Sequence, residues 1–140
     1  MEIRCSIREK WVTATPEEEV RQKLISKMIS ELGYPKSLIS VEKEIASLPS
    51  GGLGMGRRLD LICYTPNKEK LVPLLIAECK AVSLDEGAER QVFGYNSTIQ
   101  APFLCLAGKS EIKTLWMSQG KIASVPFLPF YKELLKGLCY

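Results

Sequence analysis

The feature that most constrains the fold is an apolar segment that ends in two charges. The sequence KLVPLLIAECKA occupies residues 70–81, and six of the seven residues from Leu71 to Ala77 are apolar. Such a run predicts a buried strand. It continues directly into Glu78 and Lys80. Charges at the end of a core strand require a compensating partner or access to water, because an unpaired buried charge is strongly unfavourable.

The composition limits the chemistry that is possible. The chain has 140 residues, of which 46% are apolar, so we predict one domain over residues 1–140 with its own core. The net charge of +3 neither indicates nor excludes a nucleic-acid partner. The sequence contains no histidine. Histidine triads, histidine-ligated zinc and a histidine general base are therefore excluded, and any acid–base or metal chemistry must use carboxylates and lysine.

The expected compartment follows from hydropathy and from the cysteines. No apolar run approaches the length of a membrane span, and the N-terminal MEIRCSIREK lacks the apolar core of a signal peptide. We therefore expect a cytoplasmic protein without a membrane partner. The cysteines are widely spaced, lack a CxxC motif and are expected to be reduced and mostly buried. They are Cys5, Cys63, Cys79, Cys105 and Cys139.

The first half of the chain predicts one helix and three strands. Thr15 is the expected N-cap, with Pro16 at the first helical position and Glu18 placed to complete a capping box. Gly33 is expected to end this helix. The predicted strands cover residues 37–46, 57–65 and 70–81, with a turn at PNKEK between the last two.

Two glycine-containing segments resemble phosphate-binding loops only superficially. LPSGGLGMG, residues 48–56, lacks the GxGxxG spacing and leads into a strand, so it is interpreted as a flap or wide turn. Gly108-Lys109-Ser110 matches the end of a Walker A motif, but Phe103 stands where the first glycine is required. We interpret this segment as a tight turn.

The second half predicts a helix followed by strands. Ser83 and Glu86 form a second capping box, and the helix should continue to about Ile99. A strand at 102–108, a hairpin around residues 118–120 and a short helix ending at Gly137 complete the chain. The predicted fold class is α/β, with a mixed central sheet flanked by helices.

A third charge falls near the first two. Side chains alternate along a strand, so Glu78 and Lys80 share one face at a separation of about 6.6 Å along the chain. Asp60 interrupts the apolar LDLIC segment of the preceding strand. If the two strands pair antiparallel through the PNKEK turn, their Asp60 and Glu78 ends meet.

This cluster has two interpretations. The first is a structural ion pair at a sheet edge. The second is a site for a hard cation, in which Asp60, Glu78 and the backbone carbonyl of Cys79 offer the oxygen ligands that Mg²⁺ prefers. Lys80 would then stabilise charge that develops during a reaction.

These residues carry a family resemblance. RRLDLICYT and LLIAECKA resemble the D…ExK core of the PD-(D/E)XK nuclease superfamily, which implies a restriction-endonuclease-like core. With TPEEEVRQKLISKMISELGYPKSLISVEKEI and ERQVFGYNSTIQAPFLCLAG, they resemble the nuclease region at the N-terminus of type I restriction enzyme R subunits over roughly residues 15–118. Leu59 departs from the small residue or proline usual before the aspartate. The helicase motor of those subunits is not expected in this chain, and neither is translocation-coupled restriction by this chain alone.

The resemblance implies roles for five side chains. It assigns Asp60 and Glu78 to metal binding and Lys80 to catalysis, and it adds Glu18 and Gln91 to the site. Glu18 could instead serve only the capping box, although helical geometry turns it partly inward. Gln91, predicted on the inward face of its helix, could orient Lys80 or a phosphate, or merely bond a backbone group. Tyr95 is expected to pack.

The function expected from the resemblance is a Mg²⁺-dependent DNA endonuclease, with Mn²⁺ as a possible substitute, in which a metal-activated water cleaves the phosphodiester. The alternatives are a non-catalytic module that keeps the fold to bind nucleic acid or a protein, and a purely structural subunit. A separate motor or specificity subunit and a homodimer are possible partners. The basic residues expected to hold DNA are Arg57, Arg58, Lys43 and Lys109.

Overall fold

A six-stranded mixed sheet forms the centre of the fold in the computed structural model, which describes residues 1–44, 58–81, 84 and 86–137. The strands are β1 (Glu2–Cys5), β2 (Lys10–Thr13), β3 (Ile39–Glu44), β4 (Arg58–Asn67), β5 (Lys70–Cys79), β6 (Phe103–Ala107), β7 (Ile112–Ser118) and β8 (Lys121–Val125). The helices are α1 (Pro16–Ser30), α2 (Glu86–Ile99) and α3 (Tyr131–Gly137).

The sheet follows the order β3-β4-β5-β6-β7-β8. All neighbours pair antiparallel except β5 and β6, which are parallel. A parallel pair needs a crossover connection, and α2 supplies it. Strands β1 and β2 form a separate antiparallel hairpin. The predicted α/β class with a mixed sheet flanked by helices is confirmed.

The buried parts of the central strands are mainly apolar because both faces of the sheet are covered there. On one face, Leu75 and Ala77 of β5 belong to the core cluster that contains the buried residues of α1. On the other face, Ile76 belongs to the cluster that contains Ala88 and Val92 of α2. This two-sided burial explains the apolar residues 74–77, which lack the alternation of a half-exposed strand. Leu71, at the start of the predicted apolar run, is exposed.

Helix α1 begins and ends as the sequence predicts. Thr15 Oγ1 accepts a hydrogen bond from the Glu18 backbone N–H at 3.1 Å, and Pro16 opens the helix. Gly33 follows the last turn with a φ of +75°, which a residue with a Cβ rarely adopts. The predicted apolar stripe is buried apart from the half-buried Ile29. It consists of Val20, Leu24, Ile25, Met28, Ile29 and Leu32.

The β4–β5 hairpin aligns the charged ends of its strands. Its turn is formed by Lys68 and Glu69, within the predicted PNKEK segment. Leu61 pairs with Ala77, so Asp60 and Glu78 occupy the next positions along the two strands. The predicted antiparallel pairing is confirmed, and it places both carboxylates at one edge of the sheet.

Several element boundaries differ from the prediction. Residues 37 and 38 belong to a short 3-10 helix, Lys36–Leu38, and the strand starts only at Ile39. Strand β5 ends at Cys79, so Lys80 lies just beyond it. The β1–β2 hairpin was not predicted, because strands of four residues carry little periodic signal. The interpreted loop 48–56 and the cap residue Ser83 lie outside the described residues.

The cysteine prediction is confirmed where the structure describes it. The four cysteines Cys5, Cys63, Cys79 and Cys105 are free and buried, and Cys139 lies outside the described residues. Burial raises the pKa of Cys63 and of Cys105 to about 12 in each case, which keeps both thiols protonated. None of the helices described is long and apolar enough to cross a membrane.

The N-cap of α1 gives a test of this fold. Replacing Thr15 with Ala should lower the free energy of unfolding by about 1 kcal/mol, because the Glu18 N–H loses its acceptor. Thr15→Ser keeps the accepting oxygen and is the matched control. Urea denaturation of the three proteins measures the effect, and equal midpoints for the Ala and Ser variants would contradict it.

Candidate active site

Glu78 is a buried carboxylate at the end of β5. Only 4% of the residue is exposed, and its Oε1 has no hydrogen-bond partner within the described part of the chain. Burial, and then the neighbouring Asp60 carboxylate, raise the pKa of Glu78 to about 8, although the Lys80 charge opposes them. A carboxylate in this position is stable only if it holds a proton or receives a cation.

Asp60 is fixed between the two strands and α1. Its Oδ2 accepts a hydrogen bond from the Cys79 backbone N–H at 2.7 Å. Its Oδ1 accepts from Arg21 Nη2 at 3.0 Å. The Asp60 side chain remains 21% exposed, so it lies where the buried pair opens to solvent.

Glu18 is held in an ion network rather than in a capping box. Its Oε1 accepts from Arg8 Nη2 at 2.6 Å and from Arg21 Nη1 at 3.1 Å, and its Oε2 accepts from Gln22 at 2.9 Å. The Thr15 backbone N–H, which a capping box would direct to Glu18, donates instead to Thr13. Burial would raise the pKa of Glu18, but hydrogen bonds from Gln22 and Arg8 and the nearby guanidinium charges lower it. Glu18 is therefore ionised and positions Arg21.

Lys80 contacts α2. Its Nζ donates to Gln91 Oε1 at 2.5 Å, and its backbone N–H donates to the carbonyl of Ala107 at 2.8 Å. The prediction that Gln91 lies on the inward face of its helix is wrong, because Ala88 and Val92 occupy that face and Gln91 is exposed. Gln91 nevertheless reaches Lys80 from its exposed position on α2.

The oxygen atoms of this site fit a hard divalent cation. Glu78 offers an oxygen without a hydrogen bond, and each Asp60 oxygen accepts one bond and keeps a second lone pair. Among the described residues, no group of three or more Asp, Glu, His or Cys side chains could hold a metal. Two carboxylates would therefore need the Cys79 carbonyl and water as further ligands, and Mg²⁺ usually retains several waters.

Only one of the four predicted DNA-binding side chains, that of Lys109, lies within the described part of the structure. Lys109 is exposed in the turn that follows β6, at the same sheet edge as Lys80. The backbone of Lys43 pairs with Leu59, and that of Arg58 with Glu44, but the side chains of Lys43 and Arg58 lie outside the description. Arg57 is outside the described residues, as is the side chain of Tyr95.

Two arginines of the site were not predicted from the sequence. Arg21 bridges Glu18 and Asp60, and Arg8 adds a second cation to Glu18. The position of Arg21 three residues after Glu18 places both on one helix face and was the available signal. No signal pointed to Arg8, because it lies in the unpredicted segment between β1 and β2 and reaches Glu18 only through the tertiary fold.

Comparison with known proteins identifies the family of the chain and a similar solved fold. A family model described as the type I restriction enzyme R protein N terminus matches residues 16–129. A solved fragment described as an HsdR subunit of a type I restriction enzyme from Vibrio vulnificus YJ016 shares 18% identity, with a TM-score of 0.61. The match covers 91% of this chain and 26% of that chain, so this chain spans about a quarter of the solved fragment. No curated protein matches the chain significantly.

The raised pKa of Glu78 predicts how stability depends on pH. The folded state binds a proton at Glu78 that the unfolded state releases near its ordinary pKa of 4.5, so this stabilisation is complete below about pH 4.5 and is lost as the pH rises through about 8. Without divalent ions, Glu78→Gln should therefore gain stability relative to wild type as the pH rises across this window. The gain should not exceed about 1.4 kcal/mol per pH unit.

Urea denaturation of both proteins in EDTA between pH 5 and 8 measures this difference. The comparison cancels the titration of the carboxylates that do not interact with Glu78, which both proteins share. A constant difference across the window would show that Glu78 is ionised throughout and would contradict the prediction.

Proposed function

The chain belongs to the family of type I restriction enzyme R protein N-terminal domains, and from this premise we propose that it is a Mg²⁺-dependent deoxyribonuclease with a PD-(D/E)XK site. The family match confirms the resemblance found in the sequence and supports a restriction-enzyme role of nuclease type. The metal, the cleavage reaction and the residue roles belong to the proposal.

The observation that carries this proposal is the buried Glu78 beside Asp60. Two carboxylates at adjacent strand ends repel each other, and one of the Glu78 oxygens lacks a hydrogen-bond donor. A purely structural cluster would be expected to satisfy that oxygen, because an unsatisfied buried acceptor costs about 1–3 kcal/mol. A divalent cation would satisfy the oxygen and remove the repulsion together.

Asp60, Glu78 and the Cys79 carbonyl would hold the ion, Mg²⁺ or alternatively Mn²⁺. When bound, the ion would lower the pKa of a water molecule and stabilise negative charge on the phosphate. Arg21 orients Asp60 through its 3.0 Å hydrogen bond, and Glu18 keeps Arg21 in place. In this proposal Glu18 serves the site by positioning Arg21.

Lys80 would stabilise the charge that develops on the phosphate as the phosphodiester is cleaved. Its hydrogen bond to Gln91 restricts the position of the ammonium group. Because the neutral side-chain amide oxygen of Gln91 accepts this bond, Gln91 orients the lysine without neutralising its charge. The pair therefore supplies a fixed positive charge at the place where DNA would approach.

DNA is the proposed substrate. The proposed partners follow from how small a part of the solved HsdR chain this chain covers. The chain spans about a quarter of the solved HsdR fragment that it resembles in fold, so a separate motor or specificity subunit is part of the proposal. Action in the cytoplasm is proposed as well. Cleavage of both strands would further suggest a homodimer with two sites.

One observation favours a different function. Arg21 already supplies a cation to Asp60, so part of the negative charge is compensated without a metal. A non-catalytic module that binds DNA or a protein could keep this ion network only to hold the sheet edge together. The decisive experiment incubates the protein with supercoiled, linear and single-stranded DNA in Mg²⁺, Mn²⁺ or EDTA. Metal-dependent cleavage supports the nuclease, and DNA binding without cleavage supports the module.

Lys80 gives the first mutational test of the proposed function. Lys80→Ala should reduce the cleavage rate by about 10²-fold or more while metal binding persists, because it removes a charge directed at the transition state. Lys70→Ala is the matched control, since Lys70 is exposed at the opposite end of the same strand. Single-turnover cleavage measures both variants, and undiminished cleavage by Lys80→Ala would exclude its catalytic role.

Asp60 distinguishes a metal site from a structural ion network. In a metal site, Asp60→Asn should abolish the stabilisation by Mg²⁺. The free energy of unfolding in EDTA should stay close to that of wild type, because Arg21 keeps its ion pair with Glu18 and the repulsion between residue 60 and Glu78 is relieved. Wild type should gain about 2.7 kcal/mol when Mg²⁺ is present at a hundred times its dissociation constant.

Thermal denaturation of both proteins in EDTA and in Mg²⁺ provides the four measurements required. A purely structural network predicts the opposite result. In that case the variant should lose a few kcal/mol in EDTA and wild type should gain nothing from Mg²⁺ or Mn²⁺.

A further inference from the structure

A cleft lined by lysines lies between α1 and the β6–β7 turn. Its volume is about 510 Å³, and Val20 and Leu24 contribute an apolar wall. Four lysines line this lysine cleft together with one acidic residue, Glu111. The lysines are Lys23, Lys27, Lys109 and Lys113.

The positive charge of the lysine cleft is only partly neutralised. Lys113 pairs with Glu89 of α2 at 3.2 Å. Oε1 of Glu111 accepts a hydrogen bond from the Leu84 backbone N–H at 2.9 Å. No ion pair joins Lys23, Lys27 or Lys109 to a carboxylate in the part of the chain that the structure describes. These three exposed ammonium groups are therefore available to an anionic ligand.

The lysine cleft adjoins the candidate active site. Helix α1 contributes Arg21 to Asp60, and it presents Lys23 and Lys27 to the cleft. Ala107 lines the cleft, and its carbonyl accepts the Lys80 backbone N–H at 2.8 Å. A ligand that extends from the active site across this edge of the sheet would reach the lysines.

We propose that the lysine cleft binds the phosphate backbone of the DNA substrate, an inference that rests on the proposed function. Lys23 and Lys27 are one helical turn apart, about 6 Å along the axis, so their charges are spread along the rim instead of converging on one point. Lysines act as point charges and suit contacts to successive phosphates. The cleft thus binds DNA of any base sequence, while the residues at the ends of β4 and β5 act on one phosphodiester.

The test compares two double variants with equal changes in charge. Lys23→Gln with Lys27→Gln alters the lysine cleft at residues outside the proposed catalytic machinery. Lys68→Gln with Lys70→Gln is the matched control, because both lysines are exposed at the β4–β5 turn, at the opposite edge of the sheet. Fluorescence anisotropy with a labelled DNA duplex in EDTA, repeated at several salt concentrations, measures affinity without cleavage.

The cleft variant should bind DNA about 10-fold or more weakly than the control near 0.1 M salt, and the slope of log affinity against log salt should fall by up to about 2. Urea denaturation verifies that both variants fold. Equal affinities for the two variants, or no salt-dependent DNA binding by wild type, would overturn the proposal. If wild type binds but never cleaves DNA, the nuclease assignment fails, and a selective loss in the cleft variant still supports the cleft.

Discussion

The structure depends on the cost of placing two carboxylates at the ends of neighbouring buried strands. Asp60 and Glu78 come together because β4 and β5 pair antiparallel in a fixed register. Their repulsion must be offset, and the Cys79 N–H and the Arg21 guanidinium donate to Asp60 and not to Glu78 in the described structure. Glu78 retains an oxygen without a hydrogen bond and an elevated pKa. The chain therefore compensates the charge of Asp60 but not that of Glu78. A divalent cation would compensate the charge of Glu78.

The flanking helices make this edge of the sheet asymmetric. Helix α1 positions Arg21 against Asp60, and Glu18 holds the guanidinium through a second hydrogen bond. Helix α2 brings Gln91 to Lys80 from the other side. Lys80 is bonded to the neutral amide of Gln91, whereas Arg21 already pairs with two carboxylates, one of them the buried Glu18. The two cations therefore differ in how freely they can bind a ligand.

Much of the fold could be predicted because its signals are local. The cap at Thr15, the end of α1 at Gly33 and the apolar run of β5 each depend on neighbouring residues. Predictions failed where long-range packing decides. The inward face assigned to Gln91 was wrong, because the rotation of α2 is set by what Ala88 and Val92 pack against. The hairpin carrying Arg8 was missed because strands of four residues have no recognisable period.

The sequence by itself determined the mixed sheet, the absence of histidine chemistry and the meeting of Asp60 with Glu78, because hydrophobic periodicity and a short hairpin turn fix strand register. The tertiary structure alone decided which cations meet those carboxylates. Arg8, Arg21 and Asp60 are distant in sequence, and only the packing of α1 and the N-terminal hairpin against the sheet joins them into one network. Long, flexible arginine side chains can reach several partners, so their pairing is set by three-dimensional proximity and burial, which no local pattern encodes.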